Sequence, residues 1–472
     1  MIQSKTNYPL FLAILLFIIG KILLLNTYFF WDGVEALSVP ANYLYDNNFS
    51  NFNYPNFVSS PPLIHCLVAL SWKIFGRTLL VSHVVMAVFS IGCITQIFYF
   101  CKTNIKHQNG MTFVFLLMIL DAAFLTQTLL LFPDIFLICF SFLSINLYQK
   151  NKPVLFSMAA LALSFSSERA SLACCAIGLA IFLNEIHGKK NFNEIFRIFI
   201  KSILPFLPSI IAIVGFYIFK KQTTGAYLVN ENSPWKDSWK IPGAGQFFSN
   251  IKGVIRFMLD NGTIFIFIGF IVLWFTLKDK KTFFKENKFI FYLFICYLFI
   301  ICSYTLPFSN QFGKKYFIMP CLFLNFLTGV LAFHVLKNRK TAIAISCAMI
   351  IGMVSSHFWI YPERFSRAWD CSLSHLPYYN LRKEALTFID KNNISRDSLS
   401  FFFPASQTGK LIELNNDERK FIKSGNAPQY IASSNISNNA FLLERDLAIK
   451  KWILLKEFRR NGVYIRIYER PQ

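Results

Sequence analysis

The segment YFFWDGVEALSVPANYL, residues 28–44, closes the first apolar run of the chain, which extends from residue 9 to residue 30. Crossing a bilayer as a helix takes roughly 20 apolar residues, so this run is long enough to span. It is too long for the core of a signal peptide and has no small-residue cleavage site, so we expect it to stay in the chain. Two carboxylates, Asp32 and Glu35, come directly behind it. The segment therefore predicts a membrane-spanning helix with acidic side chains at its end.

The composition of the chain indicates the same class of protein. Of its 472 residues, 54% are hydrophobic and 55 are phenylalanine, and the mean hydropathy is +0.44. A transmembrane barrel would instead show short alternating strands, so we predict a polytopic α-helical membrane protein with about eleven spans. The predicted spans lie near residues 9–30, 78–100, 111–127, 133–149, 153–167, 170–186, 198–219, 261–277, 288–306, 315–336 and 340–359.

The formal net charge of +22 could indicate a nucleic-acid partner, but the positions of the basic residues argue against it. Many of them form short clusters between apolar runs, and no nucleic-acid-binding module is recognisable. Such clusters are typical of anchoring to anionic lipid headgroups. The predicted partners are therefore membrane lipids and no nucleic acid. The positive charge of these clusters would also attract an anionic lipid substrate.

The cysteines give no sign of a metal centre or of disulfide bonds. Most of the eleven lie inside apolar runs, and neither a CxxC pair nor a Cys/His ligand spacing occurs. We therefore expect no disulfide and no structural zinc. A divalent ion as cofactor stays open, because acidic residues either hold such an ion or act alone.

Alternate connections between the apolar runs differ in charge. Because lysine and arginine accumulate in cytoplasmic loops, the lysine-rich set is predicted to be cytoplasmic. This set consists of CKTNIKHQNG, QKNKP, HGKKNFNEIFR, KDKKTFFKENK and KNRK. The chain is then a multi-pass protein of the cell (inner) membrane, with a cytoplasmic N-terminus and an extracytoplasmic C-terminal region. Lys220-Lys221 and Lys314-Lys315 fall on the opposite side, which is either noise or a sign of function.

The composition changes from about Tyr361 onward, where long apolar runs stop and charged residues become frequent. YYNLRKEALTFIDKNN has apolar residues at helical spacing, and SLSFFFPA and GVYIRIYER are typical of strands. The predicted organisation is a transmembrane domain at 1–360 and a small α/β extracytoplasmic domain at 361–472.

The first outer loop, residues 31–77, is predicted to carry two interface-lying helices. The first is formed by WDGVEALSVPANYL. The second follows Pro61-Pro62, which favour an extended entry, and is about 14 residues long, which is short for a span. These helices would roof a cavity in the membrane. His65 in the second helix is a candidate proton carrier, although a lone histidine there is more often packing.

Four acidic residues converge on the predicted outer boundary: Asp32, Glu35, Asp134 and Glu168. Charges next to lipid are costly and are usually paired or functional. The alternative is that each merely caps a helix or lies among headgroups.

The order of these features resembles the GT-C glycosyltransferases. An Asp closes the first span, and PPL, an interfacial helix ending in FG, a PD turn and an acidic SSER turn follow it. Within that group the chain is most similar to the branch of the protein mannosyltransferases and the bacterial lipid A aminoarabinose transferase. The similarity covers roughly residues 9–336 and is strongest over 28–186. It implies an integral membrane transferase that moves a hexosyl or pentosyl group from a polyprenyl-phosphate-linked donor to a lipid, glycan or protein acceptor on the outer face of the membrane.

The resemblance also implies residue roles. Asp32 matches the acidic residue of the first loop, which would be catalytic by activating the acceptor nucleophile or by stabilising the sugar at the anomeric carbon. Asp134 matches the PD turn, and Glu168 matches the acidic residue of the later turn. KKYFIMP resembles a late RY..P element, with Lys315 and Tyr316 in its key places.

A lipid phosphate that leaves during transfer would be held by Lys315 or by Arg169, because a cation at this depth suits a phosphate. A simpler expectation also applies to the lysines of the spans. Lys21 in the middle of the first span is expected to snorkel to the interface. Snorkelling is also the alternative for the two lysines at the start of the late span, more for Lys314 than for Lys315.

The chain departs from the family pattern at three places. Gly33 follows Asp32 where a second acidic residue is common, and the next carboxylate is Glu35. Ser60 precedes the double proline, where a basic residue is common in the family. Ser167 precedes Glu168, where a lysine is common. These departures imply rearranged donor contacts.

A transporter or flippase of a lipid-linked or anionic substrate is the rival class. Transporters usually place ionisable residues near the midplane and often show repeated halves. Here the acidic residues cluster at one boundary and no repeat is visible, which favours the enzyme.

Overall fold

The structure is a computed structural model that describes residues 7–50, 52, 61–227, 236–309, 312–335, 339–359, 361, 369–402, 405–422, 428–437 and 440–471. Most of it is helical, with a small sheet near the C-terminus. The helices up to residue 224 are α1 Tyr8–Leu23, α2 Val39–Asp46, α3 Leu63–Phe75, α4 Leu79–Asn104, α5 Gln108–Ile119, α6 Ala122–Leu129, α7 Asp134–Gln149, α8 Pro153–Ser164, α9 Glu168–Ile186, α10 Phe192–Ile203 and α11 Leu207–Thr224. The helices that follow, up to residue 355, are α12 Ala244–Leu259, α13 Thr263–Thr276, α14 Lys280–Thr305, α15 Ile318–Val335 and α16 Arg339–Ser355.

Within the described residues, five helical segments are long and apolar enough to cross a membrane, or up to seven if each of two bent pairs counts as one span. α10 and α11 together form one of the five segments, Phe192–Thr224. Apolar helices too short for that test lie at other predicted spans and include α1, α7 and α8. The predicted class of polytopic helical membrane protein with a small C-terminal sheet is confirmed.

The predicted span at 111–127 is not a single helix, because α5 and α6 are bent by 67°. Asp121 lies at the bend, and its Oδ1 accepts hydrogen bonds from the backbone N–H groups of Ala123 and Phe124, both at 3.1 Å. These bonds cap the free donors at the start of α6, so a new helix begins here instead of α5 continuing. Asn325 on α15 donates to the other oxygen of Asp121 at 3.2 Å and so fixes the bend from the side.

Two lysines for which snorkelling is the expectation or the alternative are buried instead. Lys21 is 4% exposed, and its Nζ donates to the backbone carbonyl of Leu129 at 2.8 Å. That carbonyl belongs to the last turn of α6, where helical carbonyls lack an intrahelical partner. Lys314 is fully buried and donates to Thr263 Oγ1 at 2.6 Å. Snorkelling is therefore wrong as the prediction for Lys21 and as the alternative for Lys314, because each ammonium finds oxygen acceptors inside the bundle.

The first loop contains the two predicted helices, although the start of the first has an unusual form. A π-helix, Val34–Ser38, leads directly into α2. α3 packs against α2 and buries Val68 and Trp72, while the indole N–H of Trp72 donates to Ser82 Oγ at 2.9 Å. The loop residues 51 and 53–60, including Ser60, lie outside the described residues.

The C-terminal part combines short helices with a four-stranded sheet. Its helices are α17 Pro377–Lys391, α18 Gly409–Ile412 and α19 Ala440–Ile449, and its strands are β1 Leu399–Phe401, β2 Tyr430–Ser434, β3 Ile453–Arg460 and β4 Val463–Glu469. The strand order is β1-β2-β4-β3, with β1 and β2 parallel and the other pairs antiparallel. β1 and β4 lie where SLSFFFPA and GVYIRIYER predict strands.

The C-terminal part packs directly on the segment that leads to Asp32. Phe29 donates its backbone N–H to the carbonyl of Ile412 at 3.1 Å. The ring of Phe30 stacks on His375, with ring centroids 4.5 Å apart. The backbone before Asp32 is thus held by contacts with the C-terminal part.

Candidate functional site

The site forms where the starts of three apolar helices meet the first loop. α7 begins with Asp134 and α9 begins with Glu168 and Arg169, while Lys315 lies in a 3-10 turn, Lys314–Phe317, just before α15. Each of these helix starts follows a turn in the sequence, so the fold places their charged side chains together at one end of the helices.

Four ion pairs connect these residues. Lys315 Nζ lies 2.5 Å from Asp32 Oδ2 and 2.8 Å from Asp370 Oδ2. Arg169 Nη2 lies 2.8 Å from Asp134 Oδ1 and 3.6 Å from Asp32 Oδ2. Asp32 is therefore shared between the two cations. Short charge-assisted bonds of this kind hold the side chains in a fixed arrangement.

Asp32 is ionised in this arrangement. Burial raises the pKa of Asp32, but the neighbouring charges of Lys315 and Arg169 lower it by more, so the pKa lies below the ordinary value of an aspartate. A carboxylate with a lowered pKa is a weak general base. Asp32 can therefore accept a proton effectively only after Lys315 has moved to another anion.

Gly33 follows Asp32 because there is no room for a side chain. A Cβ at this position would lie 2.3 Å from the backbone carbonyl oxygen of Leu131, which belongs to the turn before Asp134. Two backbone segments therefore touch at Gly33, the position at which the family pattern that the sequence resembles has a second acidic residue. The close approach explains this departure, since it brings Asp32 beside the start of α7.

We expect Gly33→Ala to lower the thermal stability and to displace Asp32. Forcing a methyl group against a backbone carbonyl typically costs about 1–3 kcal/mol. Thermal unfolding of the purified chain in detergent measures this loss. Gly243→Ala is the matched control, because a Cβ there meets nothing within 4 Å. Equal melting temperatures for the two variants would contradict the close approach.

An apolar cleft opens beside the ion pairs, and its space of about 510 Å³ includes its open mouth. Aliphatic and tyrosine side chains of α7, α9, α14 and α15 form most of its wall, and Asp134, Arg169, Lys315 and Tyr316 are its polar end. The remaining lining residues are Leu137, Ile138, Leu172, Ala173, Tyr297, Ile300, Ile301, Tyr304, Ile318 and Met319. An apolar chain with an anionic head would match both parts of this cleft.

Tyr316 and Glu168 contact the site in different ways. The Arg169 guanidinium lies over the Tyr316 ring at 4.5 Å from its centre, a cation–π distance. Glu168 pairs instead with Lys220, whose Nζ lies 3.9 Å from Glu168 Oε1. The side chain of Lys220 is only 3% exposed. This lysine, which falls on the side opposite the lysine-rich loops, is therefore buried against an acidic partner.

Glu35 and His65 lie farther along the first loop. Glu35 is part of the π-helix and is partly exposed. His65 is 2% exposed, and its Nε2 lies 2.8 Å from the backbone carbonyl of Ala36. His65 therefore packs beneath the π-helix and holds its backbone, and neither residue is among the cleft-lining residues.

Asp370 was not expected from the sequence. It lies in a short 3-10 turn, Trp369–Cys371, and Gln127 Nε2 donates to its backbone carbonyl at 2.8 Å. WDC carries no motif, and its neighbours in sequence do not suggest a membrane site. The only indication in the sequence is Lys315 itself, because a lysine on the side opposite the lysine-rich loops requires an anionic partner.

The cluster does not resemble a metal centre. Among the described residues, no group of three or more His, Cys, Asp or Glu side chains is arranged to hold a metal ion. The carboxylates of Asp32, Asp134 and Asp370 each face Lys315 or Arg169. A divalent ion would have to compete with those cations for the same oxygens.

A polytopic bundle of apolar helices, a first loop with two short helices, a charged cluster at the helix starts and a small C-terminal sheet describe a membrane protein whose fold is similar to that of the GT-C glycosyltransferases. The solved structures that are similar to this chain include two of one protein. They are ArnT from Cupriavidus metallidurans bound to undecaprenyl phosphate, and the same protein in the apo state.

The similarity extends over nearly the whole of both chains. For the bound structure the TM-score is 0.55 at 9% identity, covering 96% of this chain and 98% of that one. For the apo structure it is 0.55 at 10% identity, covering 96% and 97%. No protein-family model matches the sequence, and no curated protein matches it. At this identity the likeness establishes the fold, and it confirms the predicted GT-C resemblance.

Proposed function

We propose that this protein is an integral membrane glycosyltransferase that moves a sugar from a polyprenyl-phosphate-linked donor to a lipid, glycan or protein acceptor. The observation that carries the proposal is the apolar cleft with Arg169 and Lys315 at its polar end. An isoprenoid chain would occupy the apolar part, and its phosphate would lie beside the two cations. The undecaprenyl phosphate bound by the similar ArnT supports a lipid phosphate in this fold.

Asp32 is the proposed catalytic residue. When the donor phosphate arrives, it draws Lys315 away from Asp32, and the basicity of the carboxylate rises. Asp32 then accepts the proton of the acceptor nucleophile as that nucleophile attacks the anomeric carbon. The bond from this carbon to the phosphate oxygen breaks, and the lipid phosphate leaves with the electron pair. In the transition state the carboxylate also opposes positive charge that develops on the sugar.

The remaining site residues are proposed to hold the substrates. Asp134 fixes Arg169 beside the phosphate through its ion pair, and the ring of Tyr316 packs against the guanidinium. The pair formed by Glu168 and Lys220 offers both a hydrogen-bond acceptor and a donor for sugar hydroxyls. Substrate binding by Glu35 and His65 stays a prediction.

The orientation in the membrane belongs to the same proposal. The lysine-rich loops would face the cytoplasm together with the N-terminus, so the site and residues 361–472 would lie on the outer face of the cell (inner) membrane. A donor that carries its own leaving phosphate needs no nucleotide there.

Binding of the lipid to the purified full chain tests the proposal directly. We expect polyprenyl phosphate in nanodiscs to bind, and Lys315→Met to lower its affinity by at least about tenfold, because a bond between a cation and a phosphate is lost. Native mass spectrometry measures both affinities. Lys252→Met on α12 is the matched control, since that lysine is exposed.

Two results would contradict the proposal. One is the absence of lipid binding to the unaltered chain. The other is an identical set of surface lipids, proteins and glycans, by mass spectrometry, in cells with and without the gene. Movement of a lipid-linked sugar across vesicle membranes, without transfer to any acceptor, would point to a flippase instead.

A further inference from the structure

Asp370 gives the site a carboxylate in excess of its cations. The pair of Asp134 with Arg169 and the pair of Asp32 with Lys315 already match one anion to each cation. The carboxylate of Asp370 is a further anion, with its Oδ2 2.8 Å from Lys315 Nζ. Among the described residues, no ion pair joins Asp370 to a second cation.

The position of Asp370 is fixed independently of its charge. Its turn is held through the backbone carbonyl by Gln127 Nε2 at 2.8 Å, and its neighbour Trp369 donates its indole N–H to the carbonyl of Asn435 at 2.9 Å. The side chain is 14% exposed, so its charge is only partly screened by water. A neutral side chain of the same shape would therefore keep the turn in place.

A transferase of the proposed kind must distinguish two lipid phosphates of different charge. The donor is a phosphodiester with one negative charge. The lipid that leaves is a phosphomonoester, whose second pKa near 6 gives it almost two negative charges at neutral or alkaline pH. A fixed carboxylate beside the phosphate position repels the product about twice as strongly as the donor, because Coulomb energy is proportional to charge.

We propose that Asp370 is a specificity-determining residue that favours the singly charged donor over the doubly charged product and so promotes release of the lipid phosphate. This inference rests on the proposed function, because it assumes a phosphate beside Lys315. Asp370 makes no bond in the transfer step. It shares Lys315 with Asp32 and keeps that cation from holding the product tightly.

Asp370→Asn in the full chain, reconstituted in nanodiscs at pH 8, tests the inference. The probes are polyprenyl phosphate and its methyl ester, a singly charged diester that carries no sugar. With one fixed charge removed, we expect the affinity for the ester to rise about tenfold and that for polyprenyl phosphate about a hundredfold, since the latter has twice the charge. In transfer assays the variant is inhibited by polyprenyl phosphate at correspondingly lower concentrations.

The controls separate charge from shape. Asp370→Glu keeps the charge and should keep the ratio of the two affinities, while Asp397→Asn removes an exposed carboxylate of the same C-terminal part and should change neither affinity. Asp370→Ser is the second neutral variant if the asparagine variant does not fold.

Each outcome decides one question. An unchanged ratio of the two affinities in the neutral variants, with both lipids still bound, would overturn the role of Asp370 and leave the proposed function standing. If neither lipid binds to the unaltered chain, the proposed function itself fails. Weaker binding of both lipids in Asp370→Asn would show that Asp370 only holds Lys315 in position, and would also overturn the inference.

Discussion

Asp32→Asn is expected to lower the rate of sugar transfer by at least about a hundredfold, while the chain stays folded and still binds polyprenyl phosphate. General-base catalysis typically contributes a factor of roughly 10² to 10⁴. Asparagine has the same shape but cannot accept a full proton or oppose positive charge on the sugar. Lys315 keeps Asp370 as an ionic partner, so the cation stays in the site.

Measuring transfer and lipid binding on the same preparation separates chemistry from folding. Transfer is followed by mass spectrometry of the glycosylated acceptor, and binding by the affinity for polyprenyl phosphate. Asp446→Asn is the matched control, because this carboxylate is exposed on α19. Normal transfer by Asp32→Asn at an equal protein level would exclude the catalytic role of Asp32.

The charged residues at helix starts were predictable because their surroundings in sequence are simple. Asp134 follows a proline at the start of an apolar run, and Glu168 and Arg169 lie in a tight turn between two runs. A charge in such a place must lie near the membrane boundary, and the alternation of loops places these boundaries at one end. Lys315 is predicted on other grounds, because KKYFIMP resembles a late RY..P element and because this lysine falls on the side opposite the lysine-rich loops.

The partners of these residues were not predictable, because they depend on contacts across the fold. Asp370 belongs to a segment with the composition of a soluble domain and reaches the site only because the C-terminal part packs on Phe29 and Phe30. Lys220 departs from the charge pattern of the loops, and only the fold shows that it pairs with Glu168. Pairing of side chains from distant segments leaves no periodic signal in the sequence.

The membrane spans also differ in what the sequence predicts and what only the fold shows. Apolar runs predict where helices lie, but hydropathy does not detect a bend that a single residue introduces. The bend at Asp121 depends on the hydrogen bonds that its carboxylate accepts from the N–H groups of Ala123 and Phe124, and from Asn325 of a distant helix. Lys21 likewise was expected to reach the interface, since the free carbonyl of Leu129 is visible only in the fold.

Arg169→Met is expected to cause the largest loss of stability, about 3–5 kcal/mol, because it leaves a buried carboxylate without its cation. Asp134 is 5% exposed, and its Oδ1 lies 2.8 Å from Arg169 Nη2. The shared contact with Asp32 is lost as well, and so is the stacking of the guanidinium on Tyr316. Unfolding by denaturant in mild detergent measures the loss, with Arg197→Met on the exposed side of α10 as the matched control.

A double-mutant cycle with Asp134→Asn isolates the pair from the rest of the site. If the cost of Arg169→Met comes mainly from the uncompensated carboxylate, neutralising Asp134 in the same chain restores a large part of the lost stability. Lipid phosphate binding should not recover, because the cation that would hold the phosphate is still absent. Additive losses of stability in the cycle would contradict the pairing. Recovery of lipid binding together with stability would mean that Arg169 supports the fold alone, which would leave Lys315 as the residue that binds the phosphate.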